Sequence, residues 1–416
     1  MSYGKNELIV IRDLAKKTAE IAALPIQKKR IKQWTDLNSL KQTKPMIWTN
    51  EIPWHEFSED FSELHCKTED SFLTSVELFL RRQLFQWEHF QGDMVVEPSI
   101  YCEKCYWHTG YGLPVNTEST SSSGMNSHRF IPQLKSIDDV EKIQIPDVFY
   151  DETQTDSIFN AYNDVFHGIL EVVPSFNHTM WFSPWDLIIM WTGIEEGLTA
   201  MYDNPEMLHA AIDKLVSAEI HVIDEYERLG VLTLNNRNHR IGSGAYGYCN
   251  DLPGETYDKS HVKLRDRWGF STSQIFSEIS PAMHNEFAVE YEKKYLSRFG
   301  LAYYGCCEPL DKKIDILSSI KNLRKVSMSA WTDPDLAASA IGQKYVYSYK
   351  PNPSLLADSV WQPDIVKTSL EKVMNTAMNH GCCIEVILKD ISTINCDFNR
   401  LNEWHTIAEG LAAIYE

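Results

Sequence analysis

The sequence predicts an α/β chain folded as a (β/α)8 barrel behind an N-terminal helical extension, and three observations carry that prediction. From position 93 onward, short continuously apolar runs have the signature of parallel strands buried on both faces. Longer stretches that suit crossover helices separate most of them. A chain of 416 residues with 43% hydrophobic and 23% charged side chains matches one large packed domain with an added segment.

The first ninety residues carry two amphipathic patterns, ELIVIRDLAKKTAEIAAL and TEDSFLTSVELFLRRQLFQWEHF, the second behind a Thr/Glu/Asp start. Between them, KPMIWTNEIPWHEF is too rich in Pro and Trp for either regular element. Residues 1–92 are therefore expected to form a helical extension packed on a barrel of residues 93–416. Eight strands are expected: MVVEPSI from Met94, MWFS from Met180, VLTLNN from Val231, TSQIFSEIS from Thr272, LAYYGCC from Leu301, KVSMSA from Lys325, YVYSYK from Tyr345 and CIEVILKDIS from Cys383. VVPSF at Val172 competes for the second place. Helices are expected over 205–230, 283–299, 312–323 and 359–380. Two polar insertions, 106–126 and 240–266, follow strand candidates and would roof the C-terminal face, where such barrels carry their chemistry.

With 58 acidic against 39 basic side chains the net charge is −19, so the field repels phosphate backbones and anionic membrane surfaces. Nucleic acid and membrane are not expected partners. No run of about 18 apolar residues is present, and MSYGKNELIVIRDLAKK lacks the apolar centre of a secretory signal, which together predict a cytoplasmic protein. Nine cysteines, an odd number in a large chain, argue against a disulfide framework and leave packing thiols, metal ligands or reactive thiolates.

Polar residues at the C-terminal ends of strands are the candidates for function. They include Glu97, Asn235, Asn236, Glu278, Tyr304, Cys306, Cys307, Glu308, Trp331, Lys350, Asn352, Lys389, Asp390 and Cys396. Cys306 and Glu308, two apart, share one side of an extended chain, and Cys307 turns to the other. Thiolate with carboxylate suits zinc, and Cys396 could add a ligand from a neighbouring direction. The same cysteines also read as small core residues, or as a nucleophilic or redox thiol served by a base such as His239. Cys102-x-x-Cys105 with His108 lacks the second cysteine pair of a structural metal site and reads as a chance spacing. Cys382 and Cys383 open the last strand, where packing is their expected role. IGSGAYGYCNDLPG does not match a phosphate loop in register; it reads as a lid contributing His239, Arg240, Tyr246 and Tyr248.

At YYGCCEPLDKKIDIL, KVSMSAW and EVILKDISTINCDFNRLNEWHTIAEGL the chain resembles the uroporphyrinogen decarboxylase superfamily, and within it the branch of corrinoid-dependent and zinc-dependent methyltransferases. The resemblance runs from about position 93 to the end and implies a (β/α)8 barrel. In methyltransferase members a His-x-Cys at one strand end and a Cys after the last strand hold zinc, which activates a thiol acceptor for a methylcobamide donor. Here Cys306 and Cys396 take the cysteine positions and Tyr304 takes that of the histidine, so either Glu308 or Cys307 replaces it or this branch has abandoned the zinc-thiol chemistry. The decarboxylase's arginine-rich substrate motif has no counterpart, which puts porphyrin decarboxylation behind methyl transfer.

The reading is a methyltransferase-like enzyme with Cys306, Cys307, Glu308 and Cys396 as the metal set. Glu278, Tyr304, Lys350 and Asp390 would be its catalytic groups, and Glu97, Asn235, Asn236, His239, Tyr248, Trp331 and Asn352 its substrate contacts. Zinc and a corrinoid are the expected cofactors. A small-molecule substrate, a corrinoid protein and a second copy of the chain are the expected partners. The alternatives are a metal-free decarboxylase or lyase using Asp390, Lys350 and Tyr304, and a barrel that binds without catalysing.

Overall fold

A computed structural model describes residues 3–57, 61–119, 128–176 and 180–416. Its centre is a six-stranded, wholly parallel sheet, in spatial order β1 (Met46–Thr49), β12 (Cys383–Leu388), β11 (Val346–Tyr349), β10 (Leu323–Met328), β9 (Leu301–Tyr304) and β8 (Trp268–Ser271). β2 (Ser99–Glu103) and β7 (Glu171–Ser175) form a separate parallel pair. β3 (Tyr106–His108) pairs antiparallel with β6 (Val148–Tyr150), and β4 (Thr117–Ser119) with β5 (His128–Phe130).

The chain is thus an α/β protein built on a parallel sheet, and no ladder closes that sheet into a ring among the described residues. Side chains extend the arc at both edges. Beyond β8, Asn235 bonds both backbone groups of Trp268, at 2.9 and 3.0 Å, and Arg267 reaches the carbonyl of Thr233. The Thr233 hydroxyl in turn accepts the N–H of Phe176, just past β7. Beyond β1, Ile47 and Asp93 exchange two hydrogen bonds, one of them to the Asp93 carboxylate that Lys44 also holds at 2.7 Å.

Several expectations need correction. The strand expected from Val231 has no ladder, because polar Thr233 and Asn235 make the joins instead. The second strand is β7 at Glu171–Ser175 rather than the Met180 run, where Met180 has φ +44° and the chain leads into the helix Pro184–Thr192. The fourth is Trp268–Ser271, and the run from Thr272 becomes a short 3-10 turn, Gln274–Phe276. The first lies at Ser99–Glu103, five residues past the expected start. KPMIWTNEIPWHEF, read as irregular, supplies β1, so residues 1–92 contribute a strand as well as helices.

Helices form where the sequence placed them: Lys5–Ala22, Ser71–His89 capped by the Asp70 carboxylate, Pro205–Arg228 and Pro363–Asn379. The 283–299 stretch is broken by a π turn, Asn285–Val289, and 312–323 yields only Ile314–Leu317. Strand side chains alternate between two environments. Tyr304, Val326, Tyr347 and Val386 pack outward in the main helix-covered core, while Tyr303, Val346 and Ile387 join clusters on the concave side. The loop 241–248 fills that concavity: a Cβ on Gly244 would lie 2.7 Å from both Glu385 Oε1 and the Tyr303 ring, so only glycine fits there. No helix among the described residues is long and apolar enough to cross a membrane.

Candidate functional site

On the concave face the strands carry buried charged and polar groups among the apolar ones. Lys325 and Glu385, both fully buried, pair at 2.9 Å. Ser348 donates to the other Glu385 oxygen, and Tyr303 donates to Ser348 at 2.9 Å. Lys350, one residue past β11, donates to the Tyr303 hydroxyl and to Ser348 Oγ at 2.7 Å. Ser243 of the inserted loop donates to Tyr303 and to the Gly305 carbonyl. Burial depresses the Lys350 pKa to about 7, although Glu385 opposes the change. Its amine can therefore hold or release a proton near neutrality.

This network leads to the C-terminal ends of β9 and β12. Gly305, with φ +95°, ends β9 after Tyr304; a Cβ there would sit 2.4 Å from Leu310, so a side chain is excluded on both counts. The turn reverses the expected alternation: instead of facing opposite sides, the sulfurs of Cys306 and Cys307 approach to 3.6 Å. Lys389 Nζ lies 3.6 Å from Cys306 Sγ and also donates to Asp390. Cys307 Sγ lies 3.4 Å from Asp390 Oδ2, and its single proton can go there or to Cys306. Asp390 has φ +56°, and its N–H is held by Glu51, which pairs with Arg240 at 2.7 Å.

The consequence is a polarised thiol pair. Hydrogen bonding from Cys307 lowers the Cys306 pKa against the cost of burial, with Lys389 and Lys350 adding to the effect. The Cys307 thiol is pushed up, first by that same bond. Burial opposes the charge on Lys389, but Cys306, Cys307 and Asp390 outweigh it and raise its pKa, so the ammonium persists. Cys306 is consequently the more acidic sulfur of the pair, and Cys307 holds its proton the more firmly. A cavity of about 550 Å³ adjoins Cys307 and is lined also by Asp186, Gln274, Glu278 and Trp331 among others.

The other expected site residues fall elsewhere. Tyr304 faces the helices, donating to Glu292 at 2.6 Å and bonded to His284 at 2.8 Å. Burial raises Glu292 to about 7 and lowers His284 to about 3. Glu97, Tyr248 and Tyr101 form a group of their own, in which both hydroxyls donate to the Glu97 carboxylate and His239 packs on the Tyr101 ring at 4.5 Å. Asn236 binds the carbonyl of Leu252, and Asn352 accepts the N–H of Ser354. The Cys102 thiol is buried and pushed up to about 11, and Cys382 and Cys383 likewise to about 12 and 11. Glu51 was not expected in the site, and Arg240 was expected only as part of the lid. Lys389 stood among the strand-end residues, but nothing in the sequence pairs it with a sulfur.

The donors expected to hold zinc do not fit a tetrahedral metal site. Glu308 is fully buried and already accepts from the Thr272 hydroxyl and the Cys306 N–H, both at 2.8 Å, so it fastens the turn. Cys396 is exposed, and its N–H is tied to Glu56 at 2.9 Å. Among the described residues no three His, Cys, Asp or Glu side chains gather closely enough to hold an ion.

No family model matches the chain, and no curated protein matches its sequence. Among solved structures it is similar to a methyltransferase from Methanosarcina mazei, at 9% identity, over 93% of this chain and 99% of that one, with a TM-score of 0.49. At that distance the chemistry rests on the site's own geometry.

Proposed function

We propose that this chain is a transferase of the methyltransferase type, acting on a small molecule at the C-terminal rim of a (β/α)8-like sheet, with the Cys306 sulfur as its reacting group. The observation that carries the reading is the Cys306 sulfur with Cys307 and Lys389 each 3.6 Å away, Cys307 lining a cavity large enough for a small substrate. Cys306 presents a buried, charge-supported nucleophile. Cys307 keeps a proton next to it, Lys389 supports the negative charge, and Lys350 offers a titratable amine below. Asp390 and Glu51 hold Lys389 and the rim loop in place. A methylcorrinoid, free or on a partner protein, is the donor class the sequence resemblance implies, and it would dock on this face. No step is routed through zinc.

A second reading, a metal-free lyase, is favoured by one observation: Lys350 is fully enclosed with a pKa near 7, as a proton-transferring amine requires. Turnover of methylcobalamin with a panel of thiol acceptors, measured for the wild type, Cys306→Ser and Lys350→Met, separates the two. Loss confined to Cys306→Ser supports thiol-centred transfer. Carbon dioxide release from small carboxylic acids that vanishes only in Lys350→Met supports the lyase, and activity untouched by either variant refutes both.

A further inference from the structure

A second cavity, of about 560 Å³, lies beside the first and shares Asp186 with it. Aromatic rings dominate its wall. Tyr106, Phe176 and Tyr226 pack together with centroids 4.4 to 5.2 Å apart, and Trp181 lies 4.4 Å from Phe270 and is 43% exposed. Two carboxylates, Asp186 and Glu219, complete it. Among the described residues no lysine or arginine lines it, and burial lowers the pKa of the lining His108, which favours the neutral ring. The Arg267 guanidinium already sits 5.0 Å from the Phe176 ring without lining the cavity, so Tyr106, Trp181 and Tyr226 are the rings offered to a ligand.

We infer that this aromatic, acid-lined cavity binds an alkylated ammonium cation. Ring faces attract a diffuse cation that carries few N–H donors, and such a ligand loses little hydration on entering an apolar wall. An anion would be repelled by the two acids, and a primary ammonium would give up more hydration against so many rings. Glu219 supports the assignment independently: its carboxylate accepts from the Tyr111 hydroxyl, has no cation against it, and is raised by burial to about 7. Asp186 is likewise raised by burial, against a hydrogen bond from Ser183. A cation seated between them would supply the missing countercharge and ionise both. Because Asp186 belongs to both cavities, the ligand would lie next to the space that Cys307 lines.

The test is a titration of the full-length protein with choline and, in parallel, with its uncharged tert-butyl isostere, followed by tryptophan fluorescence and calorimetry. Choline should saturate the site with the isostere roughly tenfold weaker or worse, and Glu219→Gln should erase most of that preference. Trp181→Ala should weaken choline binding by a similar factor. Equal binding of the two ligands, or saturation by neither, overturns the inference. Should Glu219→Gln fail to fold, the wild-type comparison and Asp186→Asn decide it. Cys306→Ser should bind choline unchanged, so this result stands or falls apart from the thiol chemistry.

Discussion

Replacing Lys389 with Met leaves the Cys306 sulfur without its nearest cation. At the observed 3.6 Å, two unit charges attract by about 1 kcal/mol in water and by roughly 5 kcal/mol at an effective dielectric near 20. Both side chains are almost fully buried, which places the loss inside that range and above its lower end. A loss of about 1.4 kcal/mol already lowers the thiolate fraction tenfold wherever the thiol form dominates. The assay is alkylation by iodoacetamide across a pH series, with the modified peptide resolved by mass spectrometry so that Cys306 and Cys307 are counted separately. Wild-type Cys306 should react first, with its midpoint below that of an ordinary thiol. In Lys389→Met the midpoint should move to higher pH and the neutral-pH rate should fall about tenfold or more. Lys389→Arg should restore most of it, because the charge is kept. An unchanged pH profile in a folded Lys389→Met protein, or preferential labelling of Cys307 in the wild type, would refute the reasoning.

Further outcomes follow from the same geometry. Glu385→Gln strands the Lys325 ammonium in the interior and should destabilise the protein by about 3–5 kcal/mol in denaturant titrations, with much of the loss recovered when Lys325→Met is added. Glu292 has a native pKa near 7 against an ordinary 4.5, so its protonated form stabilises the fold fully below pH 4.5 and that contribution is lost as pH rises through 7. Stability should fall across that window by up to about 1.4 kcal/mol per pH unit from this group, and Glu292→Gln should remove that component of the slope. Cys396→Ser, at an exposed position outside the sulfur pair, should change turnover and metal content negligibly and stability by less than about 0.5 kcal/mol, as thermal melts and elemental analysis would show. Trp331→Ala removes an exposed ring from the cavity rim and should raise the KM of a cavity substrate while leaving the melting temperature nearly unchanged.

The parts of the fold legible in sequence are those whose strands are buried on both faces. β9 to β12 bury every residue but one, and their runs stand out between polar loops. β1 was hidden because Pro45 and Pro53 flank four residues among tryptophans, and only its ladder with β12 makes it a strand. The 231–236 run has the composition of a strand yet joins its neighbours through Asn235 and Thr233 side chains, an arrangement that periodicity does not encode. The Cys306–Glu308 motif was visible, but its geometry hinged on Gly305: one residue at positive φ turned an alternating strand end into a sulfur pair and sent Glu308 inward to fasten the turn. Tyr304 sat in a conspicuous position and proved to serve the helix-facing core, because the last residue of β9 points outward. The aromatic density of the loops, Trp107 and Trp181 included, is visible in the sequence, but not the acid-lined cavity it walls, which draws on segments near 106–111, 180–187 and 219–226 that only folding brings together.

The most direct measurement is the ultraviolet thiolate absorbance of the wild-type protein minus that of Cys306→Ser, followed through a pH titration. One sulfur's worth of difference signal should develop with a midpoint below that of an ordinary cysteine and persist as the thiols common to both proteins ionise. A difference that emerges only in the alkaline range of an unperturbed cysteine would mean that Cys306 is a neutral packing residue, and the proposed chemistry would fall with it.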